Sequence, residues 1–466
     1  MAVAQRKSFF VQNFGCRATQ ADGAALSADL ARRGLAAAKN SCGADLIILN
    51  TCTVTAEADH DARQTIRRIR RDNPRAEILV TGCYAQRSPG QLSGLDGVKW
   101  VVGNSHKTLI GEILAPEQRP DVPAAAPHNG LVSIQGRPQP GALAYHGEIS
   151  AGGTLVGDIS REAGFLASPV VEAGLDRTRP NLKIQDGCGN RCTFCIIPAV
   201  RGPSRSADPG RVLEQVRDLA RRYREVVITG INLGRWGRDL PGRPRLAGLL
   251  RRILDETSVS RLRLSSVEPM DWSDELLGLM ASSERVAKHV HIPLQSASDA
   301  VLRAMRRRYR ARHYASRLER ARALMPTAAF GADVLVGFPG ETDRDFEATR
   351  SFIEQMPFTY LHVFTYSPRE DSPAAGMAGQ VPKAVKKQRS RTLRELIGRK
   401  NLQFRRTLLG GRFSAVTLDH RPGTRTLALT GNYIHVELDG PPIEPGKMLS
   451  VELVEADAER TVARLA

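Results

Sequence analysis

Short apolar runs, each closing on a cysteine, a glycine or a polar turn, set the strongest limit on what this chain can fold into. Between residues 7 and 113 they read SFFVQNF, ADLIILN and EILVTG, with helix-like segments such as 20–33 and 57–71 between them. Strands alternating with helices imply βαβ units and a parallel sheet. From 181 the alternation returns in LKIQDG, EVVITG, RLRLSS, KHVHIPL, FGADVLVG and YLHVFTY. The turns that follow are a cysteine run, GINLGRWG, SVEP, QSASD, FPGET and SPRE. Ligands in parallel α/β sheets lie beyond the carboxyl ends of the strands. Chemistry gathered there is the habit of β/α barrels, and six units predict an incomplete one.

The predicted fold class is therefore α/β, in four parts. An N-terminal parallel-sheet domain covers 5–114. An Ala-, Gly- and Pro-rich linker or low-complexity insertion covers 115–179. A partial (β/α)6 barrel covers 180–400, ending in the helical stretch AVKKQRSRTLRELIGRKNLQFRRTLL. Turn signals between the β segments of 412–466 predict a small β-barrel within 401–466.

Lys and Arg exceed Asp and Glu by 67 to 49, a formal charge of +18. Such a surplus favours a polyanionic partner, most simply nucleic acid. The charge is uneven. Residues 303–322 hold nine Arg against one Glu, and 386–412 hold ten Lys or Arg against one Glu. Residues 413–466 carry five basic and eight acidic side chains. A phosphate-tracking surface is thus expected on the barrel helices and the connecting helix more than on the last domain. No stretch reaches the roughly 18 apolar residues of a membrane span, and the N-terminus lacks a signal-peptide layout. The expectation is a soluble, cytoplasmic protein with no membrane partner.

The seven cysteines are Cys16, Cys42, Cys52, Cys83, Cys188, Cys192 and Cys195. An odd count in a large chain of this kind argues for metal or redox chemistry over a disulfide framework. Cys16, Cys52 and Cys83 each close a strand-like run, so a parallel sheet brings them to one edge. Cys42 precedes its strand and reads as a spare small residue. Cys188, Cys192 and Cys195 form a C-x3-C-x2-C run at a strand–helix turn. Thiolates ligate both structural zinc and iron–sulfur clusters. Zinc normally takes four protein ligands, whereas three suit a 4Fe-4S cluster with one iron left open.

That run, with Phe194 before its last cysteine, resembles the radical S-adenosylmethionine enzymes, in which the cofactor chelates the open iron and is cleaved to a 5′-deoxyadenosyl radical. The blocks FGCRATQADG, LNTCTVTAEAD and TGCYAQ resemble the N-terminal domain of the methylthiotransferases. RTRPNLKIQDGCGNRCTFCIIPAVRG, TGINLG, RLRLSSVEP, HIPLQSASDAVLRAMRRRY, DVLVGFPGET and HVFTYSPREDSPAAGM look most like the branch that acts on threonylcarbamoyladenosine in tRNA. The C-terminal segment resembles the RNA-binding TRAM domain.

The resemblance implies two 4Fe-4S clusters, one on Cys16, Cys52 and Cys83 and one on Cys188, Cys192 and Cys195, with S-adenosylmethionine as methyl donor and radical source. It implies methylthiolation of carbon 2 of the modified adenine beside the anticodon, on the tRNA anticodon stem-loop, with an electron donor such as flavodoxin or ferredoxin. Phe194, Gly230, Asn232, Ser266, Glu268, Gln295, Gly337 and Gly340 are candidates for contact with cofactor or substrate. Arg306, Arg307 and Arg308 are candidates for phosphate contact. Alternatives are methylthiolation of isopentenyladenosine in tRNA or of a ribosomal-protein aspartate, and a non-catalytic RNA-binding protein with structural zinc.

Overall fold

A computed structural model describes residues 8–115, 153–162, 178–418 and 425–466. Most of the insertion expected at 115–179 lies outside these residues.

The first sheet is built from β1 (Ser8–Asn13), β2 (Ala36–Ala37), β3 (Leu46–Thr51), β4 (Glu77–Gly82), β5 (Val98–Gly103) and β6 (Thr154–Leu155). They pair in the order β2-β1-β3-β4-β5-β6, all parallel. Every residue of β3 is buried, as an all-parallel sheet covered on both faces requires. Helices α1 (Arg17–Arg32) and α2 (Ala56–Asp72) run over the segments anticipated for them. Register then does the chemical work. Asn13 pairs with Asn50, and Asn50 with Thr81, so the three strands end level. Cys16, Cys52 and Cys83 follow within three residues and share that edge. Cys42 is exposed in a turn preceding β3, at the opposite edge.

The central domain is an open barrel of six parallel strands: β7 (Asn181–Asp186), β9 (Glu225–Gly230), β10 (Arg261–Leu264), β11 (His289–His291), β12 (Ala329–Val336) and β13 (Tyr360–Thr365). A short antiparallel strand, β8 (Arg205–Ser206), edges β7. The six are those the sequence pattern marks. Between β10 and β11 the sheet thins to a bridge at Leu262 and Val286. Alternate side chains, among them Leu182, Val226, Leu262, Val290 and Val334, pack outward into the helix-covered core. Many of the intervening ones are polar: Lys183, Gln185, Glu225, Arg261, Arg263, His289, His291, Asp333, Tyr360 and His362.

The helix Lys383–Arg406 leads into a closed five-stranded barrel of β14 (Arg412–Thr417), β15 (Thr426–Thr430), β16 (His435–Leu438), β17 (Met448–Ala456) and β18 (Thr461–Leu465), ordered β14-β15-β16-β18-β17. Its β15–β16 turn plugs the lumen. Arg261 donates to the carbonyls of Ser414 and Leu429 at 2.9 and 3.0 Å, and Arg263 to those of Thr430 and Gly431 at 2.9 and 3.2 Å. The Tyr433 ring stacks on His289 at 4.2 Å.

Candidate active site

The first cysteine triad is assembled by backbone geometry. Gly15 takes a φ of +97°, and a Cβ there would meet the Cys52 sulfur at 2.9 Å. Gly82 takes a φ of +100°, with a Cβ only 2.3 Å from the Thr51 carbonyl. Glycine alone lets these strand ends approach so closely. Cys16 then caps α1 with its side chain free of any capping bond, and Cys83 opens the short helix Cys83–Arg87. The Thr19 hydroxyl lies 3.5 Å from the Cys16 sulfur, and the Asn104 amide donates to the Cys83 sulfur at 3.6 Å. Burial, then the neighbouring Cys83, push the Cys52 thiol up to about 12. Such a thiol stays protonated at neutral pH unless a metal replaces the proton.

The second triad sits on the loop after β7. The Asn190 backbone N–H and the Asn232 amide donate to the Cys188 sulfur at 3.4 and 3.7 Å. Arg307 donates to the Cys192 sulfur at 3.4 Å. Packing around its thiol, then Cys192 and Cys188, push Cys195 up to about 12. Donors aimed at sulfur are what tune cluster thiolates, so the residues present fit such a group. The Asn232 Oδ1 is buried without a hydrogen-bond partner among the described residues. It is an acceptor left open beside Cys188.

The triads are neighbours. Cys83 packs against Ile196 and Val200, in the segment directly after Cys195. That segment ends in Arg201, which reaches back to Asp22 of α1 at 3.0 Å and to Asp186 at 2.9 Å. Lys183 also bonds Asp22, and Lys107 joins at 3.2 Å. All five groups are buried. A second link runs from Arg369 to Asp59 at 2.8 Å.

The other candidates divide. Phe194 packs beside Phe338, Tyr366 and Met305 and braces the cysteine loop. Glu268 is half-buried and paired with Arg307 at 3.0 Å. Gln295 carries a φ of +61°, a strain that non-glycine residues hold mostly at functional sites. Ser266 is half-buried with no side-chain bond described, whereas its neighbour Ser265 keeps a buried hydroxyl without a partner. Gly230 abuts Gln185. At Gly337 the close approach is made by Lys386 of the connecting helix rather than by open space, while a Cβ at Gly340 would meet nothing within 4 Å. Arg306 and Arg308 are exposed, as phosphate contact needs. Arg307 requires correction. Its guanidinium is buried against Glu268 and Cys192 because the chain leaves the preceding helix with Arg306 at φ +56°. Its guanidinium is engaged by Glu268 and the Cys192 sulfur, unlike the exposed Arg306 and Arg308 beside it.

Sequence reasoning missed the lumen and the ion network. His291 and His362 each lie 3.2 Å from the Asp333 carboxylate. The three donor atoms fall within 4.8 Å of one another, a set with the chemistry to take a divalent cation. His289 and His291 both contact the Tyr360 hydroxyl, at 2.6 and 2.8 Å. The missed signal was polar residues at alternate positions in strands that ought to be apolar, as in KHVHI and YLHVF.

Comparison with known proteins bears on this geometry. Residues 182–353 match the Radical SAM superfamily, and residues 8–103 match the Uncharacterized protein family UPF0004. The chain is 34% identical over 446 residues to the threonylcarbamoyladenosine tRNA methylthiotransferase MtaB of Rickettsia prowazekii, covering 95% of this chain and 94% of that one. Its counterpart from Bacillus subtilis is 36% identical over 89% of this chain and 86% of its own. The tRNA-2-methylthio-N(6)-dimethylallyladenosine synthase of Mycobacterium ulcerans is 31% identical over 98% and 83%. Among solved structures, the radical S-adenosylmethionine methyltransferase TsrM from Kitasatospora setae superposes with a TM-score of 0.52 at 16% identity, over 79% of this chain and 77% of that one. That likeness speaks to the fold alone.

Proposed function

Because the chain belongs to the radical S-adenosylmethionine tRNA methylthiotransferases, we propose that it adds a methylthio group to carbon 2 of N6-threonylcarbamoyladenosine beside the anticodon of tRNA. The observation that carries this reading is the packing of Cys83, of the first triad, on Ile196 and Val200, in the segment directly after the second. A carbon that is to lose hydrogen and gain sulfur must meet a radical source and a sulfur source within one cavity. Cys188, Cys192 and Cys195 would hold the cluster that binds S-adenosylmethionine, and Cys16, Cys52 and Cys83 a second one. Together these groups supply one-electron chemistry and a methylated sulfur, which no side chain can.

The chain's own residues position and enclose. Asn232 offers its unpartnered Oδ1 to the methionyl ammonium. Glu268 and Arg307 fix one wall of the cleft that Asn190, Arg235 and Asp271 also line. The Asp22–Lys183–Arg201–Asp186 network locks one triad's domain to the other's. Arg306, Arg308 and the basic helix Lys383–Arg406 offer charge to the stem-loop backbone. A small electron carrier such as flavodoxin or ferredoxin supplies the electron. Among the described residues no helix is long and apolar enough to cross a membrane.

The test is turnover by anaerobically reconstituted enzyme of a synthetic stem-loop bearing threonylcarbamoyladenosine. The expected product is its 2-methylthio derivative. Turnover of the dimethylallyladenosine stem-loop alone would overturn the substrate assignment.

A further inference from the structure

The lumen holds more positive charge than its own carboxylates offset. Glu225 is shared among three guanidiniums, lying 3.3 Å from Arg179 and 2.8 Å from Arg263 and also bonding Arg261. Asp333 is engaged by His291 and His362. Arg17, a fourth guanidinium, has no acidic partner among the described residues. Its one contact there is the Tyr433 hydroxyl at 3.5 Å, too long to count for much. Its Nη1 is buried with no hydrogen-bond partner. Tyr433 stacks on His289 and lies 5.2 Å from Tyr360, ring to ring, which puts the Arg17 tip at the lumen wall.

Arg17 as a residue is half-buried, but a buried guanidinium nitrogen left unpaired is costly unless something arrives to satisfy it. Arg17 follows Cys16 directly, so its side chain runs from the first triad's edge to the lumen wall at Tyr433. We propose that Arg17 is the specificity residue of the substrate pocket, receiving a carboxylate carried by the N6 substituent of the target adenine. This rests on the threonylcarbamoyladenosine reading, since that substituent ends in a carboxylate. A planar guanidinium meets a carboxylate through two parallel bonds. A neutral prenyl substituent would leave Arg17 unpaired and would be rejected for that reason. A backbone phosphate carries the same anionic chemistry, and the test separates the two sources.

Full-length reconstituted enzyme is given two stem-loops, one with threonylcarbamoyladenosine and one with the same nucleoside as its uncharged carboxamide. The wild type should prefer the carboxylate, through KM, by about 10- to 100-fold. Arg17→Gln should erase that preference, and Arg17→Lys should keep part of it. Partial misfolding lowers both rates alike and leaves the ratio untouched, so the ratio reads the charge contact. An Arg17→Gln variant that loses activity equally on both RNAs, as a phosphate grip or a structural role would give, overturns the proposal. Should the wild type methylthiolate neither of these RNAs but act on isopentenyladenosine, the substrate reading itself falls. A wild type that turns over both stem-loops equally sinks Arg17 alone.

Discussion

The two cysteine triads reach similar surroundings by opposite routes. Cys188, Cys192 and Cys195 come from one loop of eight residues, and the donors on their sulfurs, Asn190, Asn232 and Arg307, all belong to the central domain. Cys16, Cys52 and Cys83 come from three strand ends, and what surrounds them is completed from outside their own domain. Ile196 and Val200 pack on Cys83, and Arg201 bonds Asp22 one turn past Thr19. Both triads take their sulfur partners from their own domain, Thr19 and Asn104 for the first, but only the first has packing from the other domain described against one of its cysteines. On the proposed function, the triad assigned to the radical source is supported within its own domain, whereas the one assigned to the sulfur source also packs against the neighbouring domain.

The largest effects should come from the cysteines. Cys188→Ala and Cys52→Ala should each abolish methylthiolated product, and each should drop iron from about eight to about four per chain. They should differ in 5′-deoxyadenosine, measured by mass spectrometry: lost in Cys188→Ala, retained in Cys52→Ala. If Cys52→Ala also stops its formation, the asymmetry is wrong.

Next is the interdomain lock. Asp22→Asn leaves Lys183 and Arg201 buried with one carboxylate between them, and breaking such a pair costs about 3–5 kcal/mol. Anaerobic denaturant titration should show the N-terminal domain melting earlier. The same lock predicts an acid window. Burial opposes ionisation of Asp22, but Lys107, Lys183 and Arg201 win and hold it at about 2, against 3.8 unperturbed. A depressed carboxylate stabilises above pH 3.8, and that stability is lost as pH falls from 3.8 towards 2. At 1.36 kcal/mol per unit this is roughly 2 kcal/mol. Wild type should lose it across that window, and Asp22→Asn should not.

Smaller effects separate the triads by their sulfur donors. Arg307→Ala should weaken cofactor binding or activity about 10- to 100-fold and alter only the second triad's cluster signal by electron paramagnetic resonance. Asn104→Ala should alter only the first. Cross-effects of equal size would contradict two separately supported sites.

What could be read in advance follows the same division. The six barrel strands and the contiguous cysteines carry their signal within a few residues. The distributed triad was legible because parallel strands must end at one edge, and the register of Asn13, Asn50 and Thr81 makes them do so. Arg307 was misread because composition cannot distinguish an outward arginine from one turned in by a left-handed residue. Asp22, Lys183 and Arg201 were invisible because 161 residues separate Asp22 from Lys183, and no local pattern marks a pair made by domain docking. The polar lumen was overlooked because a barrel strand is ordinarily filled with branched apolar side chains. Here alternate positions hold Arg263, His291 and Asp333 instead.

The most direct test of the central claim is mass spectrometry of tRNA nucleosides from a bacterial host that makes threonylcarbamoyladenosine but cannot methylthiolate it. Expression of this chain should yield the 2-methylthio derivative of that nucleoside, absent with Cys188→Ala or Cys52→Ala. Unchanged threonylcarbamoyladenosine, from protein shown to carry its full iron, would contradict the account.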